Sequence, residues 1–205
     1  MSFEPIKDIA VLEALYGTPG QASVVKVADR LTAEYLQLIQ ASPFFALATV
    51  SPEGLDCSPR GELGGAFTVH DEKTIIIPDR RGNNRLDSLR NIVANPEIAM
   101  LFLIPGSHTT IRLNGTAIVT ADTALLKAHE RDGKLPRSAI IVTIREIYTQ
   151  CGRAVLRAGL WEQQNHVDLN KLPTPGDVLK AQSNGQIDGA EYDSEWSGRA
   201  AKTMW

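Results

Sequence analysis

The 205-residue chain carries only two cysteines, Cys57 and Cys151, far apart and with no Cys-x-x-Cys pairing. That excludes a disulfide framework and a thiolate zinc site, and leaves each as a reduced, buried structural thiol, one in a strand and one on a helix. No window approaches the ~18 consecutive apolar residues of a membrane span. The N-terminal Met1-Ser2-Phe3-Glu4-Pro5 has no basic stretch leading into an apolar one, so a cytoplasmic location is expected, without secretion or a membrane partner. A basic excess is missing too. The formal charge of -3 argues against a protein that coats nucleic acid, and no nucleic-acid partner is expected. No Gly-x-Gly-x-x-Gly follows a strand, and neither Gly-Lys-Ser/Thr nor a Gly-x-Ser-x-Gly elbow occurs. A dinucleotide-binding Rossmann unit, a nucleotide-hydrolysing loop and an elbow hydrolase are therefore set aside. His70, His108, His129 and His166 are scattered without ligand spacing, so no metal is assigned.

What is present reads as one globular domain, since 43% hydrophobic and 22% charged residues can supply a core that a disordered chain lacks. Ile9, Leu12, Leu15 and Tyr16 have the spacing of an amphipathic helix over 7–16, ended by Gly17. Val24, Val27, Leu31, Tyr35, Leu38 and Ile39 predict a second helix, running from Thr18-Pro19 to Ser42-Pro43. From Phe44 the period shortens. Segments 44–50, 55–59, 66–70, 74–78, 98–104 and 109–119 read as strands joined by turns such as Ser51-Pro52-Glu53-Gly54, and six such strands point to a barrel. A helix over about 84–94 interrupts them, with Leu86, Leu89, Ile92 and Val93 as its apolar stripe. A short helix near 122–130, a strand at 138–146 and a helix near 147–158 follow. The polar tail 162–205 holds helices at 175–182 and near 194–203.

The most telling segment is Ile75-Ile76-Ile77-Pro78-Asp79-Arg80-Arg81-Gly82-Asn83-Asn84-Arg85-Leu86-Asp87-Ser88, a buried-type strand that empties into an arginine-rich turn and then a helix start. Guanidinium forks match a phosphate bidentately, and the turn and helix N-terminus offer backbone N–H groups to the same anion. A solvated basic loop is the alternative. Cys57-Ser58-Pro59-Arg60-Gly61-Glu62 is a strand ending in a charged, flexible loop, or a mere turn. On 109–115, Thr110, Arg112 and Asn114 share one strand face, where Arg112 needs a partner, either a carboxylate such as Glu62 or a ligand anion. Arg153, Arg157 and Trp161 recur at four-residue spacing on one helical face, fit to cover an aromatic ligand or, alternatively, to serve as a basic face anchored by a core tryptophan.

The order of these features, with Ser-Pro-Arg-Gly, Ile-Pro-Asp-Arg-Arg-Gly-Asn-Asn-Arg, Arg-Leu-Asn-Gly and Cys-Gly-Arg-Ala through Leu-Trp, resembles the pyridoxamine 5'-phosphate oxidase-like flavoproteins. Within them it is similar to the branch of FMN-dependent proteins of unassigned substrate. The resemblance covers about residues 30 to 162. It implies a mainly β fold with flanking helices, an FMN-binding split β-barrel of six antiparallel strands in Greek-key order. It further implies a single domain over 1–205 with N-terminal helices at about 7–40 and a helical or irregular tail at about 162–205. It also implies a homodimer with FMN at the subunit interface. Ile77 and Pro78 match the strand end that meets FMN, Asn84-Arg85 the step that grips its phosphate, Thr110 the strand position that reaches the flavin, and Arg60 a cofactor-lining segment. Ser58, Asp79, Arg80, Arg81, Ser88 and Arg112 join them as cofactor-binding candidates, with Arg157 and Trp161 flanking the flavin ring from the partner subunit. The late tryptophan and arginine-x-histidine clamp of the true oxidase are not visible; the tail reads Leu172-Pro173-Thr174-Pro175-Gly176 instead. The expected activity is an FMN-dependent oxidoreductase acting between a nicotinamide donor or small-molecule substrate and the flavin, with no catalytic acid or base nominated. The alternative is a non-catalytic FMN, haem or deazaflavin binding or sensing protein, with His108 or His166 as the haem ligand to test.

Overall fold

A computed structural model describes residues 2–203. Its first helix, α1 (Ile9–Tyr16), is capped by Asp8, whose carboxylate accepts from Ala10 N at 2.8 Å. The single long helix expected next is broken into α2 (Gln21–Val25) and α3 (Ala33–Gln40). Between them, Ala28 forms a bridge with Ile147 by reciprocal backbone bonds, which extended backbone can make and a helix cannot. Thr32 then caps α3, and Tyr35 and Ile39 turn inward from it.

Among the described residues, β1 (Phe44–Ser51), β2 (Gly54–Gly61), β3 (Thr68–Asp71), β4 (Thr74–Asp79), β5 (Glu97–Leu103), β6 (Thr110–Thr120) and β7 (Ser138–Gln150) make one seven-stranded sheet. The six expected barrel strands are all in it, and the strand expected at 138–146 joins them as the seventh. The order is β2-β1-β5-β6-β7-β4-β3, with every pairing antiparallel. The inward positions of β1, β5 and β6 alternate with outward ones, as a sheet with one dry face requires. Phe45, Phe67 and Phe102 meet at the centre with ring centroids 5.3–6.1 Å apart. Ile39, Leu47, Ile75, Ile111, Leu113 and Ile140 close around them.

The helix expected from 147 begins only at Arg153, because β7 continues to Gln150 opposite β6. A bulge between Asn114 and Gly115 lets the long pair bend, and at Gly115 a Cβ would sit 2.1 Å from Thr143 O. The interrupting helix, α4 (Asp87–Ala94), spans β1 and β2; buried Asn91 donates to Thr49 Oγ1 at 3.2 Å and Gly54 O at 3.4 Å. Its stripe is narrower than expected. Ile92 is buried, whereas Leu86 and Val93 face solvent, Leu86 because it is the left-handed residue before the helix and not part of its face. Then come α5 (Thr123–Ala128), α6 (Arg153–Ala158), α7 (Pro175–Gln182), α8 (Gly189–Ser194) and α9 (Trp196–Thr203). No helix of the described residues is long and apolar enough to cross a membrane.

Candidate functional site

At one end of the sheet, β2, β4 and the start of β7 converge on the 80–88 loop around a cleft of about 650 Å³. Ser58, Arg60, Asp79, Arg80, Arg81, Asn84, Arg85 and Ser88 all line it, with Arg137 and Ser138 closing the side. Ser58 and Arg60 share a face because they are two residues apart on a strand. Arg60 Nη1 donates to Asp79 Oδ1 at 3.1 Å. Arg80 Nη1 donates to His129 O at 2.9 Å, and its Nε lies 3.6 Å from Glu62 Oε2. The Nε–H groups of both arginines are buried without a hydrogen-bond partner. A buried, unused guanidinium donor is costly unless an acceptor arrives.

The loop is held in an unusual shape. Asn84 has φ of 60° and Leu86 of 62°, and a left-handed leucine is strained in a way an asparagine is not. Local hydrogen bonds support it: Arg85 N donates to Asn83 Oδ1 at 3.1 Å, Arg85 Nε to Asp87 Oδ2 at 2.7 Å, and Arg137 Nη1 to Asn84 Oδ1 at 3.0 Å. Leu86 occupies the cap position of α4, so no side chain caps that helix, whereas Asp8, Thr32, Asp122, Thr174 and Asp188 cap α1, α3, α5, α7 and α8. The first-turn N–H groups of α4 are thus left for an anion at the cleft. Below them, Ser58 Oγ and Ser88 Oγ both donate to Asp56 Oδ2, at 2.8 and 2.5 Å, and Ser88 is almost wholly buried.

The five lining arginines face two lining carboxylates, Asp79 and Asp87, so the cleft carries a positive excess in a chain that is acidic overall. Guanidinium forks and an uncapped helix start form a donor set suited to a phosphate monoester; the buried Nε of Arg60 has no acceptor, and that of Arg80 faces only the Glu62 carboxylate at 3.6 Å.

Other sequence candidates lie elsewhere. Ile77 and Pro78 are buried within β4, behind the cleft; Pro78 lies beyond the reach of β3, so its missing N–H breaks no ladder. Asp79 pairs with Ser138, which opens β7, while Thr110 pairs with Gln150, which closes it. Thr110 and Arg112 therefore sit at the far end of β7 from the cleft in the same chain. Arg112 does not meet Glu62, which binds Arg80 and Arg131; it donates to Tyr148 Oη at 3.1 Å across the strand pair, because an outward β6 side chain reaches its β7 neighbour first. Trp161 does not continue the face of Arg153 and Arg157, since α6 ends at Gly159 with φ of 53°. Instead Trp161 Nε1 donates to Ser107 O at 2.7 Å, fixing the segment after α6 to the β5–β6 turn. Cys57 and Cys151 are both exposed, contrary to the buried reading, Cys57 because it occupies an outward position on the edge strand β2. Arg137 and Asp56 are the site residues that local pattern does not reveal; no turn or spacing signal marks them, and only strand pairing brings them in, while Glu62, considered as a partner for Arg112, instead engages Arg80 and Arg131.

A family model described as pyridoxamine 5'-phosphate oxidase matches residues 31–151, which includes every strand of the described residues and every residue lining the cleft. No curated protein sequence matches the chain. Among solved structures, HupZ of Group A Streptococcus is 22% identical over 58% of this chain and 93% of its own, with a TM-score of 0.48. A Clostridium acetobutylicum protein related to general stress protein 26, of the pyridoxinephosphate oxidase family, is 18% identical over 57% and 85%, with a TM-score of 0.45. The FAD binding protein of Mycobacterium smegmatis is 16% identical over 60% and 97%, with a TM-score of 0.39. With more than half of its length matched to the family model, the chain belongs to the pyridoxamine 5'-phosphate oxidase family.

Proposed function

We propose that the cleft binds FMN through its phosphate and that the chain is an FMN-dependent oxidoreductase working as a homodimer, its substrate a small molecule or a nicotinamide donor. The observation that carries the reading is the donor set at the 80–88 loop: the uncapped start of α4 at Ser88, with Arg85 and Arg60, lines one cleft. In this reading Asn84, Arg85, Ser88 and the α4 N-terminus hold the phosphate, and Ser58, Arg60, Arg80 and Arg81 complete the cradle around it. Asp79 keeps Arg60 oriented by their 3.1 Å bond. Asp56 orients the two serine hydroxyls. The backbone at Ile77 and Pro78 borders the cofactor from behind. Thr110, Arg112, Arg157 and Trp161 reach it from the partner subunit, which is how one site uses both ends of β7. When bound, the flavin supplies two-electron hydride chemistry.

An absorbance spectrum from 300 to 500 nm, taken before and after FMN addition and desalting, tests the cofactor; colourless protein without FMN-induced thermal stabilisation overturns the reading. Arg85→Ala and Arg60→Ala are each expected to weaken FMN binding by roughly 1.5–3 kcal/mol, the scale of a charge-assisted hydrogen bond. Unchanged titrations in both variants would show that the phosphate lies elsewhere. Anaerobic mixing with a reduced nicotinamide tests the oxidoreductase reading: bleaching of the flavin bands is expected, and flavin that stays oxidised with every donor overturns catalysis while leaving binding intact.

A further inference from the structure

The chain exposes 14205 Å², whereas a compact monomer of 22.3 kDa exposes about 9,400 Å², an excess of about 4,800 Å². One side of even a large obligate interface takes only about 2,500 Å². Exposed apolar side chains are concentrated at the N-terminus, as well as along the C-terminal tail. Phe3, Ile6, Ile9, Val11, Leu12, Leu15 and Tyr16 are all exposed, and α1 buries no residue. Glu13 is its only charged side chain. A helix apolar on nearly every side belongs in a protein interior, and an isolated eight-residue helix is unstable in water. Among the described residues of one chain, nothing covers this segment.

We propose that residues 3–16 form an arm that lies on a second copy of this chain, over the outer face of its β1 and β5. That face is a floor of small apolar side chains: Ala46 is paired with Leu101 and Ala48 with Ala99, with Phe44 at its edge, and Phe44 and Leu101 are exposed. Alanines let a helix approach a sheet closely, and the arm's bulky side chains fill what they leave open. A lipid surface fits less well, because helices that lie on membranes carry lysine or arginine on the polar side, and the charges around α1 are Glu4, Lys7, Asp8 and Glu13. The inference rests on the homodimer proposed above and extends it by assigning the arm and its receiving face.

Sedimentation of the full chain at micromolar concentration, compared with the Leu12→Glu/Leu15→Glu variant and with Ala99→Arg, tests it. Both leucines are exposed within one chain, so the double variant leaves the barrel intact. The expected result is a dimeric wild type, with dissociation constants raised at least about 100-fold in both variants, and slow amide exchange over 9–16 in the wild-type dimer alone. A wild-type dimer unchanged by the double variant, with fast exchange over 9–16, overturns the arm while the dimer stands. Loss of the dimer in the double variant but not in Ala99→Arg overturns the receiving face. A monomeric wild type overturns the dimer and the arm with it.

Discussion

Phe102 on β5 and Leu15 on α1 are both large apolar side chains, yet the first has no exposed surface and the second keeps two thirds of its own. The barrel closes its core from within one chain: three phenylalanines meet edge-to-face or tilted at the centre, strands pair on both sides of β1, β5, β6, β7 and β4, and α3, α4 and α5 each pack apolar side chains onto the sheet. The terminal segments do the opposite. Helix α1 buries nothing, and α7 and α8 pack chiefly on each other. Stability in the barrel is therefore a property of the protomer, whereas order in the arms is local or supplied by another molecule.

The largest effect that would sharpen this contrast is Phe102→Ala. Deleting a fully buried aromatic ring at the centre of the cluster removes its transfer free energy and leaves a cavity that Phe45 and Phe67 cannot fill. A loss of about 3–5 kcal/mol in the global unfolding free energy is expected from denaturant titration. A loss below about 1 kcal/mol would mean that the centre is loosely packed and the contrast is false.

The strands were legible because alternation and turn chemistry are local: Ser51-Pro52-Glu53-Gly54 marks the β1–β2 turn whatever lies elsewhere in the chain. The break between α2 and α3 was not, since the apolar spacing from Val24 to Ile39 is helical throughout and only Ile147, far along the chain, draws Ala28 into extended pairing. The false helix start at 147 has the same origin. The pairing of β7 with β6 runs four residues past the expected strand end and overrides local preference. The arginine-rich turn was legible as chemistry because guanidinium groups, glycine and asparagine are concentrated in one stretch of sequence. That Glu62 engages Arg80, or that Arg137 closes the cleft, depends on contacts across the sheet end, which no local pattern encodes.

A smaller effect is expected at Gly176→Ala in the C-terminal hairpin. Helices α7 and α8 approach so closely that a Cβ on Gly176 would sit 2.1 Å from Gly189 O, and Gly176 N donates to Asp193 Oδ1 at 2.9 Å. Backbone cannot give way as a flexible side chain would, so the helices must separate, at a cost of about 1–3 kcal/mol. Because the hairpin stands apart from the barrel, amide exchange should accelerate over 175–194 and stay unchanged in β1, β5 and β6. Acceleration in the barrel as well would show that the two regions unfold as one unit.

The smallest effect is a matter of pH. Asp177 shares a capping box with Thr174: Thr174 N donates to Asp177 Oδ2 at 2.9 Å, and Asp177 N to Thr174 Oγ1 at 3.1 Å. The Thr174 backbone N–H, then its hydroxyl and the nearby Lys180 charge hold the Asp177 carboxyl below the ordinary carboxylate value. A carboxyl whose value is lower in the folded state stabilises fully above its unfolded value and loses that contribution as pH falls through the folded one. The start of α7 should therefore loosen only in acid, below the ordinary carboxylate range. Asp177→Asn keeps an acceptor for the Thr174 N–H but removes the charge. The difference in α7 amide exchange between wild type and variant should be present at neutral pH and shrink as acid protonates the wild-type carboxyl. A difference that is constant with pH would mean that the box acts through its hydrogen bonds alone, and that the hairpin, like the barrel, owes nothing to the ionisation of Asp177.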